Sequence, residues 1–570
     1  MCVSPGKSAS LFSPAAYGRF LLFIAGMGGL LYGIDVGIIS AALLYLGKAV
    51  NLSLEQTSMI VAAVLGGSMF SSVVAGFLAD WLGRRTMMIV SGLLFVGSVA
   101  LIVASQGFVP LFLGRLLQGM SGGVIAVVVP LYLAECLSAE TRGRGSAIFQ
   151  LMLTVGIVIA AFAGWFYTQQ AEAAITAASG NPVLIRMAED HAWRSMFLSV
   201  IYPGLIFFAG SFFLSETPRW LFRRGRREKA LAALRRACTE EEAELQLREM
   251  EALAAGNEET EAAGAMGSLL QRKYVIPFLL ACTILACNQA TGINSILQYL
   301  VTILKQAGMN AKNATQWDVA VTLLNCVMTM VAVALVDRKG RRFLLMLGTS
   351  GIIVALSCGA FVFHTFEAKR VSVLSEVQAQ VKGDSLSLPG GFLSPAGGAN
   401  GGPMVLSILY TYGDGDKLAT ALSTEDHGAL AIHPDSGKTA GPLVLKHALY
   451  GPVPSERTGW LVAMCLALFI ASFAVGPGVV VWLTLSELMP TRIRSNGMGI
   501  ALLINQGVST AIAWVFLPLV GAHGYYAMFA FWTGCTVIYF VTAAFFLPET
   551  KGKTLEEIEL LFAAPVGKSE

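Results

Sequence analysis

One acid and one base stand where hydrocarbon should exclude both. Asp35 lies inside the apolar string GGLLYGIDVGIIS, and Arg115 lies inside VPLFLGRLLQGM. A charge at mid-membrane costs about 2.5–3.5 kcal/mol even on the lenient insertion scale, so each needs a partner or a task. At about 1.5 Å per residue, Asp35 falls roughly 16 Å and Arg115 roughly 10 Å below the outer ends of their runs, depths that allow a pair. Burial disfavours such a carboxylate while the guanidinium favours it, which poises the acid to bind and release a proton as access to it alternates. The competing reading is a static ion pair that only orients two helices.

A second set is neutral. Gln150, Asn288, Gln289, Asn294, Gln298, Asn325, Asn505 and Gln506 fall within apolar runs, four of them in one run. An amide donates and accepts at once, as a hydroxyl does, so converging amides suit a polyhydroxylated ligand better than charges would. Trp482 offers a flat face on which the CH side of a pyranose can stack. Taken singly, each amide could instead be interhelical glue, worth about 0.6–2 kcal/mol. No nucleophile–base set appears, and the six histidines and nine cysteines include no CxxC and no metal-ligand spacing. The expectation is a protein that is not an enzyme, with no metal and no cofactor beyond the proton as coupling ion.

The elements that carry these residues must be membrane spans. The chain of 570 residues is 55% hydrophobic and 13% charged, too apolar for soluble domains. Its net charge of +3 gives no ground for a nucleic-acid partner. Apolar runs long enough to cross about 30 Å of hydrocarbon fall near 18–46, 56–79, 86–106, 108–134, 145–168 and 195–214. Six more follow near 274–304, 316–336, 343–365, 458–486, 495–520 and 525–547. The first run is too long for a signal peptide and is expected to stay as a span. Within these cores Asp35 and Arg115 read as the two charges lying well inside.

Basic residues cluster in alternate loops, at Arg84 and Arg85, Arg142 and Arg144, Arg219 to Lys229, Arg338 to Arg342, and Arg492 and Arg494. The positive-inside rule makes those loops, and both termini, cytoplasmic. The organisation is then a bundle over 1–215, amphipathic linker helices over 216–272, a second bundle over 273–547 and a cytoplasmic tail over 548–570. An external insertion at 366–457, rich in Gly, Ser and Pro, is expected to be largely irregular. Asn51-Leu52-Ser53 and Asn313-Ala314-Thr315 are glycosylation patterns in outer loops.

The charged punctuation repeats. GFLADWLGRR is echoed by VALVDRKGRR, LAECLSAETRG by LSELMPTRIRS, and LSETPRW by LPETKGK. Two repeated six-helix halves are the architecture of alternating access. With GRLLQGMSGG, PLYLAE, ETPRWL, NQATGIN, GPGVVVWLTLSE and PETKGKTLEEIE in order, the chain resembles the sugar porter family of the major facilitator superfamily, apart from 366–457. The resemblance implies an all-α integral membrane fold of twelve transmembrane helices, in a cell membrane, with a single chain as the functional unit.

It also implies roles. Gln150, Asn288, Gln289, Asn294, Asn325, Trp482 and Asn505 fall where sugar porters hold a monosaccharide. An aspartate at the place of Asp35, paired with the helix-4 arginine, is the mark of the proton-coupled symporters. Asp80, Arg84, Arg85, Glu135, Arg142, Glu216, Asp337, Arg341, Glu487 and Arg494 match an inner gate that ties the halves together when the inner side is closed. Ile157 stands where xylose symporters have glutamine and several glucose carriers have isoleucine, a vote for hexose. Ser138 and Ser215 replace prolines, Asn288 a glutamine and Gln298 a tyrosine, which bears on the sugar rather than the fold. Proton-driven hexose symport leads. A facilitative sugar or inositol uniporter and, behind it, a sugar sensor are the alternatives.

Overall fold

A computed structural model describes residues 14–137, 139–263, 272–389, 404–413, 415–422, 430–434, 441–489, 494–551, 557 and 562. Twelve stretches among them are helices long and apolar enough to cross a bilayer. The first half contains α1 (Pro14–Val50), α2 (Leu54–Leu82), α3 (Arg84–Ala104), α4 (Phe108–Cys136), α5 (Ala139–Ala177), α6 (Pro182–Ser199) and α7 (Ile201–Ser211). The last two make one span. It begins at Pro182, not near 195, because Asn181 caps it by accepting from Val183 N–H at 3.0 Å and Pro182 fits the first turn.

Three short helices link the halves: α8 (Pro218–Arg223), α9 (Arg227–Ala237) and α10 (Glu240–Ala263). The second half contains the broken span α11 (Arg272–Ala290) and α12 (Ile293–Gln306), then α13 (Ala311–Lys339) and α14 (Arg341–Glu367). After the insertion, which holds α15 (Leu374–Gln378), come the broken span α16 (Glu456–Val475) and α17 (Pro477–Leu488), then α18 (Arg494–His523) and α19 (Tyr525–Val541). The tail expected over 548–570 lies mostly outside the described residues.

Close helix approach explains how a polar group comes to be buried. Gly29, Gly33 and Gly37 recur every four residues on α1 and face Phe149, Leu153, Gly156 and Ile157 of α5. A Cβ at Gly33 would overlap the Leu153 carbonyl oxygen. The α2–α4 contact is built the same way, with Gly67 against Leu116 and Gly119 against Val64. The two halves meet along α1 with α12, α2 with α18, and α5 with α13.

The described parts of the insertion form two small sheets, where its composition suggested a largely irregular or weakly folded loop. β1 (Val371–Ser372), β4 (Met404–Thr411), β5 (Asp416–Leu422) and β7 (Val444–Pro452) form an antiparallel sheet in the order β1-β7-β4-β5. β2 (Val381–Lys382), β3 (Ser385–Leu388) and β6 (Leu430–Ile432) form a second. Leu406 and Ile408 point to one side at the strand period, joining Val377, Leu386, Leu388 and Ala448 in a small core. Residues 390–403, which hold the most Gly-rich text, lie outside the described residues. This β module sits at the end of the bundle opposite the Arg-rich loops. Gly415 reaches Ser53 of the first half, and Leu409 approaches Gly521 of the second.

Candidate functional site

The two intramembrane charges meet. Arg115 Nη1 lies 3.2 Å from Asp35 Oδ1 and donates to Gln118 Oε1 at 2.7 Å, with Asp35 2% and Arg115 0% exposed. α1 and α4 can bring them together because Gly122, two turns beyond Arg115, leaves room beside Tyr32 and Asp35. The guanidinium also lies over the Phe197 ring at 5.5 Å. Its Nε and Nη2 have no hydrogen-bond partner among the described residues. The pair is therefore single-pronged and long, unlike the two-pronged Arg–carboxylate geometry of a fixed structural bridge. Gln118, absent from the sequence-based candidates, accepts from the same nitrogen, whose two N–H bonds serve both acceptors. Its position one helical turn from Arg115 is the signal that identifies it.

A helix break assembles the amides. Gly292, at φ +84°, ends α11 in the left-handed region, which glycine adopts without penalty. Gln289 before the break and Asn294 after it are thereby joined, Asn294 Nδ2 donating to Gln289 Oε1 at 3.0 Å and to Ser509 Oγ at 2.8 Å. Gln289 Nε2 donates to Asn505 Oδ1 at 3.1 Å, and Asn505 Nδ2 to the Leu285 carbonyl at 3.1 Å. Ser509 thus belongs to a set that amide counting alone misses. It lies one turn past Asn505.

Asn288 and Gln298 are buried beside this set, and Asn288 Oδ1 and Gln298 Oε1 have no protein partner among the described residues. No hydrogen bond among the described residues ties the Gln150, Asn325 or Trp482 side chains to the cluster. Trp482 is exposed, Gln150 and Asn325 are half-buried, and Ile157 is buried against Gly37. Gly476 and Pro477 break the α16–α17 span, and Gly476 packs on Leu344 and Gly348.

The rim charges join both near and distant parts of the chain. Glu135 takes Arg84 Nη2 at 2.9 Å, Arg223 Nη2 at 3.0 Å and Thr217 Oγ1 at 2.6 Å, while Asp80 takes Arg84, four residues on, at 2.7 Å. Glu216 accepts the Arg84 and Arg85 backbone N–H groups at 2.9 and 3.2 Å instead of meeting Arg219, and so caps α3. Burial pushes its carboxyl above the usual range, against those donors and the Arg84 charge. The second half repeats the pattern. Glu487 takes Arg341 at 2.9 Å and Thr550 Oγ1 at 2.6 Å, and Glu549 accepts the Arg341 and Arg342 N–H groups at 3.0 and 3.2 Å.

Gly83 and Gly340, at φ +97° and +90°, open the helices so capped, and a Cβ on either would strike the capping carboxylate. That is why Gly precedes Arg-Arg in both halves. Glu549, Thr217 and Thr550 were missed as site residues, although the paired strings LSETPRW and LPETKGK contain them. The side chains of Arg142, Asp337 and Arg494 lie outside the described residues. Among the described ones, every rim pair joins groups of one half or its adjoining linker, and none bridges the halves. Ser215, in place of proline, uses what proline lacks: its N–H donates to Tyr17 Oη at 2.8 Å.

One charge escaped sequence reading. Asp318, taken as lying at the end of a run starting near 316, is two turns inside α13, because Asn310 caps that helix and starts it at Ala311. It is 3% exposed.

The model of a family described as sugar (and other) transporters matches residues 21–378 and 441–562, leaving out most of the β module. A probable inositol transporter 2 of Arabidopsis thaliana is 30% identical over 95% of this chain and 90% of its own length. The glucose transporter GlcP of Staphylococcus epidermidis is 27% identical over 95% and 96%. The human proton myo-inositol cotransporter is 28% identical over 94% and 81%. Among solved structures, the xylose transporter XylE from E. coli, in a partially occluded inward open conformation, superposes with a TM-score of 0.65 at 21% identity, over 94% of this chain and 99% of that one.

Proposed function

The chain belongs to the sugar (and other) transporter family, and from that premise we propose that it carries a neutral monosaccharide, a hexose such as glucose, together with a proton by alternating access. The observation that carries the coupling is the buried, single-pronged contact of Asp35 with Arg115. When the acid is charged, Arg115 holds it; when it is protonated, Gln118 can keep Arg115 satisfied through the same nitrogen. Gln118 thus keeps one Arg115 hydrogen bond in place in either charge state of the acid.

The linked amides Gln289, Asn294 and Asn505 supply donors and acceptors to sugar hydroxyls, and Asn288 and Gln298 supply acceptors that no described protein group occupies. Gln150, Asn325 and Trp482 would complete the site from α5, α13 and α17. The positive-inside bias supports a cytoplasmic reading of the Arg-rich face and of both termini. On this reading the rim triads of Glu135 and Glu487 brace each half at the inner face, and the contacts between halves close the outer one.

Inositol is the second reading. It is favoured by the plant inositol transporter and the human proton myo-inositol cotransporter among the relatives, and a polyol ring presents hydroxyls to the same amides. Proteoliposomes given a pH jump and offered hexoses, pentoses and inositol in turn distinguish the substrates. Uptake of none of them counts against the substrate class, and uptake indifferent to the pH jump counts against coupling.

A further inference from the structure

Asp318 is a buried acid that the Asp35–Arg115 pair does not use. The side chain of Ser40 on α1 neighbours its carboxyl, and the Ser40 oxygen accepts the Val301 N–H of α12 at 3.2 Å. Ser40 is 1% exposed. The contact therefore crosses the seam between the halves, with α1 on one side and α12 and α13 on the other. Ser40 lies five residues beyond Asp35, and Asp318 seven residues before Asn325. At about 1.5 Å per residue, the contact sits roughly 7–10 Å nearer the β-module face than either of those residues.

No cation of the described residues balances this acid. On the elements packed around it, Lys48 pairs with Glu189 at 3.6 Å, Tyr45 donates to Glu172 at 2.9 Å and Glu456 accepts from Asn313 at 2.7 Å. Tyr299 stacks on Phe516. Lys305, Lys312, Tyr167 and Arg457 are the remaining titratable groups of α12, α13, α5 and α16 in that half of the bundle, and none contributes an interaction to Asp318. A carboxylate in such a seam, with one hydroxyl and no cation beside it, is penalised relative to the neutral acid. Separating the halves lets water reach the group and removes the penalty.

We propose that Asp318 is a second proton site, built across the seam between the two halves, whose occupancy holds the β-module face shut. A proton from water on that face adds to the carboxylate as the seam closes and returns to the same water when it opens. The role would make opening of this face sensitive to pH independently of Asp35. It rests on the transporter reading for its purpose, but not for its test.

The test is hydrogen–deuterium exchange of the full chain in lipid nanodiscs without sugar, following 36–50 and 293–306 from acid to alkaline pH, corrected for intrinsic exchange rates. The wild type should lose protection of both segments as pH rises. Asp318→Asn, neutral at every pH, should keep the acid-like protection throughout, and Asp35→Asn should respond as the wild type does. A flat wild-type response overturns the proposal even if Asp318→Asn does not fold. So does a pH response that survives in Asp318→Asn, or one lost only in Asp35→Asn. Sugar is absent, so failure here is separate from failure of the substrate assignment.

Discussion

At the scale of single residues, the chemistry lies in which atoms are left over. Arg115 uses one nitrogen for two acceptors, and Gln289 sits between Asn294 and Asn505 as acceptor to one and donor to the other. Gln289→Ala strands the Asn505 and Asn294 groups and, on the proposed reading, removes a sugar contact, a loss of about 1–3 kcal/mol, or roughly five- to 150-fold in KM for counterflow. An unchanged KM would make the amide a packing group. Asp35 and Arg115 were legible because lipid forbids lone charges, and so were the amides that cluster. Asp318 was not, because its depth depends on where α13 begins, and the Asn310 cap lies outside the apolar run. At the rim, sequence proximity groups Asp80 with Arg84 but cannot show that folding also brings Arg84 and Arg223 to Glu135.

At the scale of elements, breaks and close approaches position the site. The break at Gly292 turns one span into two helices whose ends share an amide network, with the Trp532 ring against the glycine. Gly292→Ala should therefore cost at least the about 1–2 kcal/mol of a left-handed residue with a Cβ. It should lower the thermal unfolding midpoint and the transport rate together, and a variant as stable and active as wild type would show that the break is not required. Arg84→Ala leaves Glu135 buried without its closest cation, at a cost of about 3–5 kcal/mol. That cost should appear as a lower unfolding midpoint in nanodiscs. The helices themselves were readable from apolar length, and the matched rim motifs from repetition. The β module was not, because four of its seven strands have only two to four residues, too few to show alternation among Gly and Ser, although Leu406 and Ile408 on the longer β4 do alternate.

At the scale of the whole molecule, two repeated halves each carry a rigid base at the Arg-rich face and meet along three helix pairs, with the β module touching both at the far end. Rocking one half against the other would expose the amide cluster and Asp35 to alternate sides without disturbing either rim triad. Proton coupling requires that this motion carry sugar uphill only when Asp35 can change charge. The direct measurement is accumulation of radiolabelled sugar in proteoliposomes under an imposed pH gradient, wild type beside Asp35→Asn, with counterflow run on both. Wild-type vesicles should concentrate sugar above the external level, and Asp35→Asn should keep counterflow while losing accumulation. Undiminished accumulation by Asp35→Asn would contradict coupling through this pair.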